Sequence, residues 1–201
     1  PVGGSKVNLG QTLNFSAMAV APSAEGVTLT KGTTSAKIDR WVITSGDLTG
    51  GTAAGYFVIS NVVNGPFTDG AATYPGGSVT VDGPEVQIVI QPGGTYSFSL
   101  GNFTAYFDTE RIYGADGVND AFEFDGSVYV PLPVDMPYKP KYAQVHANHL
   151  FLAVGSSVIH SALGNPYNYK VIQGAGEIGT GGPITGLLVL PGNQGTAALG
   201  V

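Results

Sequence analysis

The chain has no cysteine. This removes disulfides, thiol nucleophiles and cysteine-ligated metals from its chemistry and disfavours a small secreted scaffold held by cross-links. Charge is scarce too: Asp, Glu, Lys and Arg make up 11 % of the 201 residues, against roughly 25 % in ordinary soluble domains. The net charge is -6, and Lys139 and Lys141 form the densest basic pair. Without a basic cluster the chain has no means of gripping nucleic acid through its phosphates. A conduit that lets DNA pass without binding it remains compatible. No apolar run approaches the ~20 residues of a membrane-spanning helix. Nor does any stretch carry a convincing helical period; a single turn around Ser161–Asn165 is the one exception expected. The N-terminus, PVGGSKV, lacks Met and a signal-peptide core, and the C-terminus stops just after a new strand-like run. The sequence therefore reads as processed or as a piece of something longer.

In contrast, 31 glycines and 13 prolines punctuate a chain that is 43 % hydrophobic and holds 10 tyrosines and 9 phenylalanines. Dense turns between β-formers predict an all-β protein. A chain so poor in charge is expected to have much of its surface covered by partners.

Taken in order, residues 1–25 alternate weakly around Val7, Leu9, Leu13 and Phe15 and read as an extended arm or edge strand. Residues 26–101 form a β-rich module, expected as a small sandwich or roll. Its runs are GVTLT, AKIDRWVIT, AGYFVISNVV, SVTV and VQIVI, the last two separated by a DGP turn. The imperfect alternation of Ile38, Trp41 and Ile43 predicts a bulge near Arg40. In TYSFSL, Tyr96, Phe98 and Leu100 alternate with Thr95, Ser97 and Ser99, the pattern of a half-buried strand. A boundary is placed near residue 101.

Residues 102–201 carry more aromatics: FTAYF, RIYGA, then AFEFDGSVYVPL, with DGVND as a hairpin loop and Asp125-Gly126 as a tight turn. PLPVDMPYKPK has four prolines and reads as an extended crossing segment. A hairpin is expected around Gly155-Ser156, followed by YKVIQ, a glycine-rich loop and ITGLLVL. Short strands at this spacing indicate a sandwich, barrel or propeller. The similar grammar of YGADGVNDAFEFDG and LFLAVGSSVIHSAL favours a radial repeat.

RIYGADGVNDAFEFDG and HANHLFLAVGSSVIHSALGNPYNYKVIQGAGEIGTGGPITGLL resemble phrases of a family of tailed-bacteriophage virion structural proteins, of the tail hub or nozzle kind. The resemblance covers about residues 100–201 well and 30–100 more loosely. It implies a propeller-like β-domain at 102–201, incomplete within this chain, that continues beyond it. It also implies a homo-oligomer, in a ring, packed against neighbouring tail proteins, with passive DNA passage and residence in the virion. Tyr169 stands where such proteins usually carry a tryptophan.

Several constellations invite a chemical reading. GAGEIG at 174–179 matches G-x-G-x-x-G, yet the continuation TGGPITG cannot open the helix a dinucleotide fingerprint requires. His146, His149 and His160 carry three imidazoles, but on one strand positions i and i+3 face opposite sides unless the chain bends. Asp116, Asn119, Asp120 and Asp125 lack the alternating spacing of a calcium loop and read as turn formers. Glu110, Glu123 and Glu177 are candidates for carboxylate-pair hydrolysis, although Glu110 and Glu123 look like solvent-side strand positions with cross-strand ion pairs. Tyr56, Tyr74, Tyr96, Tyr106, Tyr113, Tyr129, Tyr138, Tyr142, Tyr167 and Tyr169 suit a β-core, an interface or sugar stacking. The expectation is a structural protein with no catalytic, cofactor or metal site. The alternatives are a host receptor- or glycan-binding module and, less favoured, a glycan hydrolase.

Overall fold

The computed structural model describes residues 9–103, 110–132, 134, 136–190 and the backbone of 198–200. Residues 104–107 of FTAYF, Tyr106 among them, the positions of Pro133 and Asp135 in the crossing segment, and the PGNQG turn lie outside the described residues. The protein is all-β and folds as two units, Pro1–Val89 and Ile90–Val201.

The first unit is a closed antiparallel barrel of β1 (Gln11–Met18), β2 (Thr28–Lys31), β3 (Thr34–Ser45), β4 (Ala53–Val63), β5 (Gly70–Tyr74) and β6 (Gly77–Gln87). Around the barrel the order is β1-β4-β3-β2-β5-β6, closing where β6 pairs with β1. The barrel replaces the expected sandwich or roll, because β1 bonds to β4 on one side and β6 on the other. Residues 11–18 are therefore neither an arm nor an edge strand. Closure removes the free edges that an open sheet would expose.

Inward-facing Leu13, Phe15, Leu29, Ile38, Phe57 and Val81 form the interior. Bulges keep this face in phase. The register of β3 against β4 shifts between Ile38 and Arg40, where the sequence predicted it. In β1, Ala17 takes φ 57 and the register shifts between Phe15 and Met18, returning Met18 to the interior. The DGP segment is not a turn between strands: β6 runs through it, with a register shift opposite Thr12–Asn14. The extra residues are held by the β4–β5 loop. Asp69 Oδ1 accepts from the Gly83 N–H at 3.0 Å, and Glu85 Oε2 accepts from the Phe67 N–H at 2.9 Å. That loop carries Phe67 into the core.

The second unit begins earlier than residue 101, since β7 (Ser97–Gly101) pairs with β8 (Arg111–Ala115), β9 (Ala121–Phe124) follows, and β10 (Tyr129–Leu132) completes an antiparallel meander. A second meander comprises β11 (Tyr142–His146), β12 (His149–Val154), β13 (Ser157–His160) and β14 (Gly176–Gly179). β15 (Leu188–Leu190) and β16 (Ala198–Gly200) form a hairpin. The described residues form no closed propeller. Pro131 sits on β10, an edge strand, where its missing N–H is tolerated.

Turn chemistry sets these registers. Asp125-Gly126 does not make a two-residue turn. Phe124 pairs with Tyr129, and Asp125 Oδ1 instead accepts from the Ser127 and Val128 N–H groups, both at 2.8 Å, in a four-residue loop. Gly155-Ser156 is the expected two-residue turn, with Gly155 at φ 61. YKVIQ is not a strand: Val171–Gln173 is a 3-10 turn closed by Gly174 in the left-handed region. Ser161–Asn165 is a non-helical turn held by a bridge between Ala162 and Asn165.

The β11–β12 turn is Ala147-Asn148, both at positive φ (46 and 62), as the right-handed twist of a two-residue hairpin demands. Alanine is poorly suited to that region, because its Cβ crowds the following carbonyl. Ala147→Asn is therefore expected to raise the unfolding free energy by about 0.5–1 kcal/mol, measured as a shift of the denaturant midpoint at unchanged slope.

Candidate functional site: an aromatic sheet face

The alternation in β7 is real, but its sense is the reverse of what hydropathy implies. Ser97, Ser99 and Gly101 face inward, towards β11. The Ala143 N–H donates to Ser97 Oγ at 3.4 Å and the Val145 N–H donates to Ser99 Oγ at 2.9 Å; Gln144 Nε2 also reaches Ser99 Oγ at 3.0 Å. β11 is the edge strand of its sheet, and the serine hydroxyls satisfy edge N–H groups that would otherwise need a strand or water. Partner numbers rise together along both strands, so β7 and β11 run in the same direction. Small residues are required for this approach: a Cβ added at Gly101 would stand 2.8 Å from the Val145 side chain.

The same inversion runs through the rest of the sheet. Register pairs Ser99 with Tyr113 and Tyr113 with Glu123, so these share the inward side. Glu123, expected at the solvent side, is 0 % exposed. The cross-strand ion pair anticipated for it exists in the interior. Arg111 Nη1 donates to Oε1 at 2.5 Å, and the Tyr113 and Tyr167 hydroxyls donate to Oε2 at 3.1 and 2.5 Å. Tyr167 comes from the segment after β13, so this cluster ties the two meanders together. Three donors around one buried carboxylate satisfy it without water.

The other side of the sheet is apolar. Phe98 pairs with Gly114 and Gly114 with Phe122, while Leu100 pairs with Ile112 and Ile112 with Phe124. Tyr96 and Phe98 stack at 5.6 Å with 5° between their planes, and Phe122 stacks on Tyr129 at 4.9 Å. Gly114 leaves room for the Phe122 ring, which a side chain there would overlap. Phe122 and Tyr129 are buried by this packing, but Tyr96, Phe98 and Leu100 remain 47, 60 and 59 % exposed. Burial, aided by the nearby Tyr96, Asp116 and Asp120, pushes the Tyr129 phenol far above its ordinary range.

The other candidates disperse. GAGEIG supplies the left-handed Gly174 and strand β14, which pairs with β13 and opens no helix. The three histidines do share one side of the second meander, because the two-residue turn makes His146 and His149 a cross-strand pair, and His160 pairs with Phe151 next to them. The turn is the bend that strand spacing alone does not supply. His149 and His160 both donate Nδ1–H to the Ser161 carbonyl, at 2.7 and 3.0 Å, with ring centroids 5.0 Å apart. Among the described residues no group of three or more His, Asp or Glu could hold a metal ion.

Asp116 caps its own loop. It accepts from the Val118 and Asn119 N–H groups at 2.8 and 2.7 Å and from Asn119 Nδ2 at 2.6 Å. Asp120 binds Lys139 at 2.6 Å instead. Burial works to raise the Asp116 carboxyl, but the hydrogen bonds from Asn119 and Val118 outweigh it and hold the group below the usual carboxylate range.

Glu110 is exposed ahead of β8, and Glu177 is exposed on β14. Glu177 borders a pocket of about 150 Å³ shared with Ile159, Tyr169 and Gly176. The Tyr169 hydroxyl is buried, which drives its phenol far above the ordinary range. A second pocket, of about 280 Å³, is lined by Tyr138, Lys139 and Lys141 among others. Neither brings two of the carboxylate candidates together. Tyr56, Tyr74, Tyr113, Tyr129 and Tyr167 are buried, Tyr142 and Tyr169 are half-buried, and Tyr96 and Tyr138 are exposed. The surface that stands out is therefore the aromatic side of β7. Comparison with family models, curated proteins and solved structures returns no match.

Removing Glu123 would leave Arg111 buried beside two phenols. Glu123→Ala is expected to cost about 3–5 kcal/mol, with much of this recovered in the double variant Arg111→Met/Glu123→Leu, measured by denaturant unfolding. For Asp116, the folded pKa lies below the unfolded value of roughly 3.9. Its contribution is full above that value and is lost as pH falls through the lower folded one. Asp116→Ala should destabilise by about 2 kcal/mol at neutral pH and flatten the stability loss in acid, measured as unfolding midpoints across the acid range.

Proposed function

We propose that this chain is a structural component of a tailed-phage virion, in the hub or nozzle of the tail, and that it works by subunit assembly rather than catalysis. The observation that carries the reading is the apolar side of β7, where Tyr96, Phe98 and Leu100 are exposed together beside a stacked aromatic cluster. Contiguous exposed apolar surface of this kind marks a site of association, and covering a Phe or Leu side chain is worth about 1.5–3 kcal/mol. The phrases that resemble phage tail proteins fall on the two meanders: RIYGADGVNDAFEF spans β8, its loop and β9, and HLFLAVGSSVIH spans β12 and β13. Two successive four-stranded meanders whose first strands lie side by side and parallel is also how neighbouring propeller blades are arranged, which favours a propeller-like reading of the second unit. The scarcity of charge and the net -6 suit a wall past which DNA moves without being held.

A second reading rests on the Tyr96–Phe98 pair. Two parallel exposed rings form a platform on which a sugar can stack, as a host-glycan-binding tail module requires.

Antibody raised against the chain should label the tail of intact particles in electron micrographs, and a subunit-resolution map should place the β7 face in a protein–protein contact. Unlabelled particles would remove the virion reading. A β7 face open to solvent in the assembled tail, with saturable binding of host polysaccharide lost in Tyr96→Ala, would favour the glycan-binding module.

A further inference from the structure

The crossing segment between β10 and β11 carries the densest basic pair of the chain, Lys139 and Lys141, on either side of Pro140. Pro140 is buried and both lysines are exposed, so the pair shares the outer side of the segment. The segment is pinned from both flanks. The Gly117 N–H, in the β8–β9 loop, donates to the Pro140 carbonyl at 2.7 Å, and the Lys141 N–H donates to the Ala153 carbonyl on β12 at 2.8 Å. The Tyr138 ring lies against the β12–β13 turn, 3.3 Å from where a Cβ on Gly155 would stand, yet the residue stays 67 % exposed. Tyr138, Lys139 and Lys141 line the pocket of about 280 Å³ together with the buried Ala153 and Ile184. Gly117 and Gly155, both at positive φ (81 and 61), keep its walls free of side chains.

The positive charge of this pocket is not cancelled within the chain. Lys37, Arg40 and Arg111 each pair with a carboxylate, and Lys139 holds Asp120 at 2.6 Å. Lys141 has no carboxylate partner among the described residues; its ammonium lies 5.3 Å from the centre of the Tyr142 ring. The Lys139–Asp120 pair is itself exposed, and such pairs contribute little and exchange readily. We infer that this pocket binds a single acidic sugar unit, its carboxylate on the Lys141 ammonium and its apolar ring face on Tyr138. A cation beside an exposed aromatic ring fits a ligand that is both anionic and ring-shaped: the ammonium attracts the carboxylate as a point charge, and the C–H face of a sugar stacks on the phenol ring. The volume lies at the lower end of ligand pockets, which suits one ring rather than a chain. Nucleic acid fits less well, because the net charge of -6 repels a polyanion and the sequence has no basic cluster beyond this pair. The pocket shares no residue with the β7 face, so the inference does not depend on the assembly reading.

The test uses the whole chain and three probes, glucuronate, glucose and inorganic phosphate, with binding followed through amide chemical shifts. Glucose carries the ring without the carboxylate, and phosphate carries charge without the ring. Glucuronate should bind saturably, shift the amides of Gly117, Lys141 and Gly155, and bind about tenfold more tightly than either other probe. Added salt should weaken glucuronate and leave glucose unchanged. Lys141→Gln should bring glucuronate down to the level of glucose, and Tyr138→Ala should weaken glucuronate about fivefold. Both residues are exposed, so both variants should fold, which far-UV circular dichroism verifies. Three results overturn the inference: glucuronate that does not bind saturably, glucose or phosphate that binds as tightly as glucuronate, or either variant binding glucuronate as well as the unaltered chain does.

Discussion

Two serine hydroxyls set the orientation of the whole second unit. Ser97 and Ser99 accept the outward N–H groups of Ala143 and Val145, so the edge of the second meander is satisfied by the side of the first. An unsatisfied buried N–H costs about as much as a lost hydrogen bond, which makes this contact hard to exchange for an apolar one. Once the serine side of β7 is committed inward, strand pairing carries Tyr113 and Glu123 inward with it and turns Phe98, Phe122 and Phe124 to the other side. The Arg111–Glu123–Tyr113–Tyr167 cluster follows as a necessity, because a carboxylate brought inside must be matched there. The exposed aromatic face is the other product of the same constraint.

The first unit solves its edge problem differently. β6 runs the length of the barrel through Gly83 and Pro84 and meets β1, so no strand edge is left over. Bulges at Ala17 and Arg40 keep the interior residues in phase through this curvature. The two units thus represent two responses to unpaired backbone: closure in one, and side-chain hydroxyls in the other. The second leaves Tyr96, Phe98 and Leu100 exposed, and the proposed function rests on that face.

Much of the architecture was legible in the chain. Strand periods, the DGVND and Gly155-Ser156 hairpins and the bulge near Arg40 are local consequences of alternation and turn residues. The candidate site was half legible. The alternation of Tyr96, Phe98 and Leu100 was plain, but the pairing of Tyr113 with Glu123 came from the structure. The burial of Glu123 was not legible, since a glutamate between two phenylalanines reads as the solvent side when each strand is taken alone. The DGP segment failed for a related reason: its turn residues serve a bulge held by Asp69 and Glu85, distant partners that no local pattern reveals.

The sequence by itself determined the class of the protein: β-strands and tight turns throughout, little charge, no thiol chemistry and no helical frame for the GAGEIG motif. These follow from backbone preferences and composition, which act over a few residues at a time. Only the tertiary structure decided that the first unit closes as a barrel, that the three histidines share one side of a sheet, and which side of β7 faces in. Alternation defines two faces of a strand but does not label them. The label comes from what lies across the gap, and here that is a strand edge whose N–H groups require hydroxyl oxygens more than the interior requires another phenylalanine.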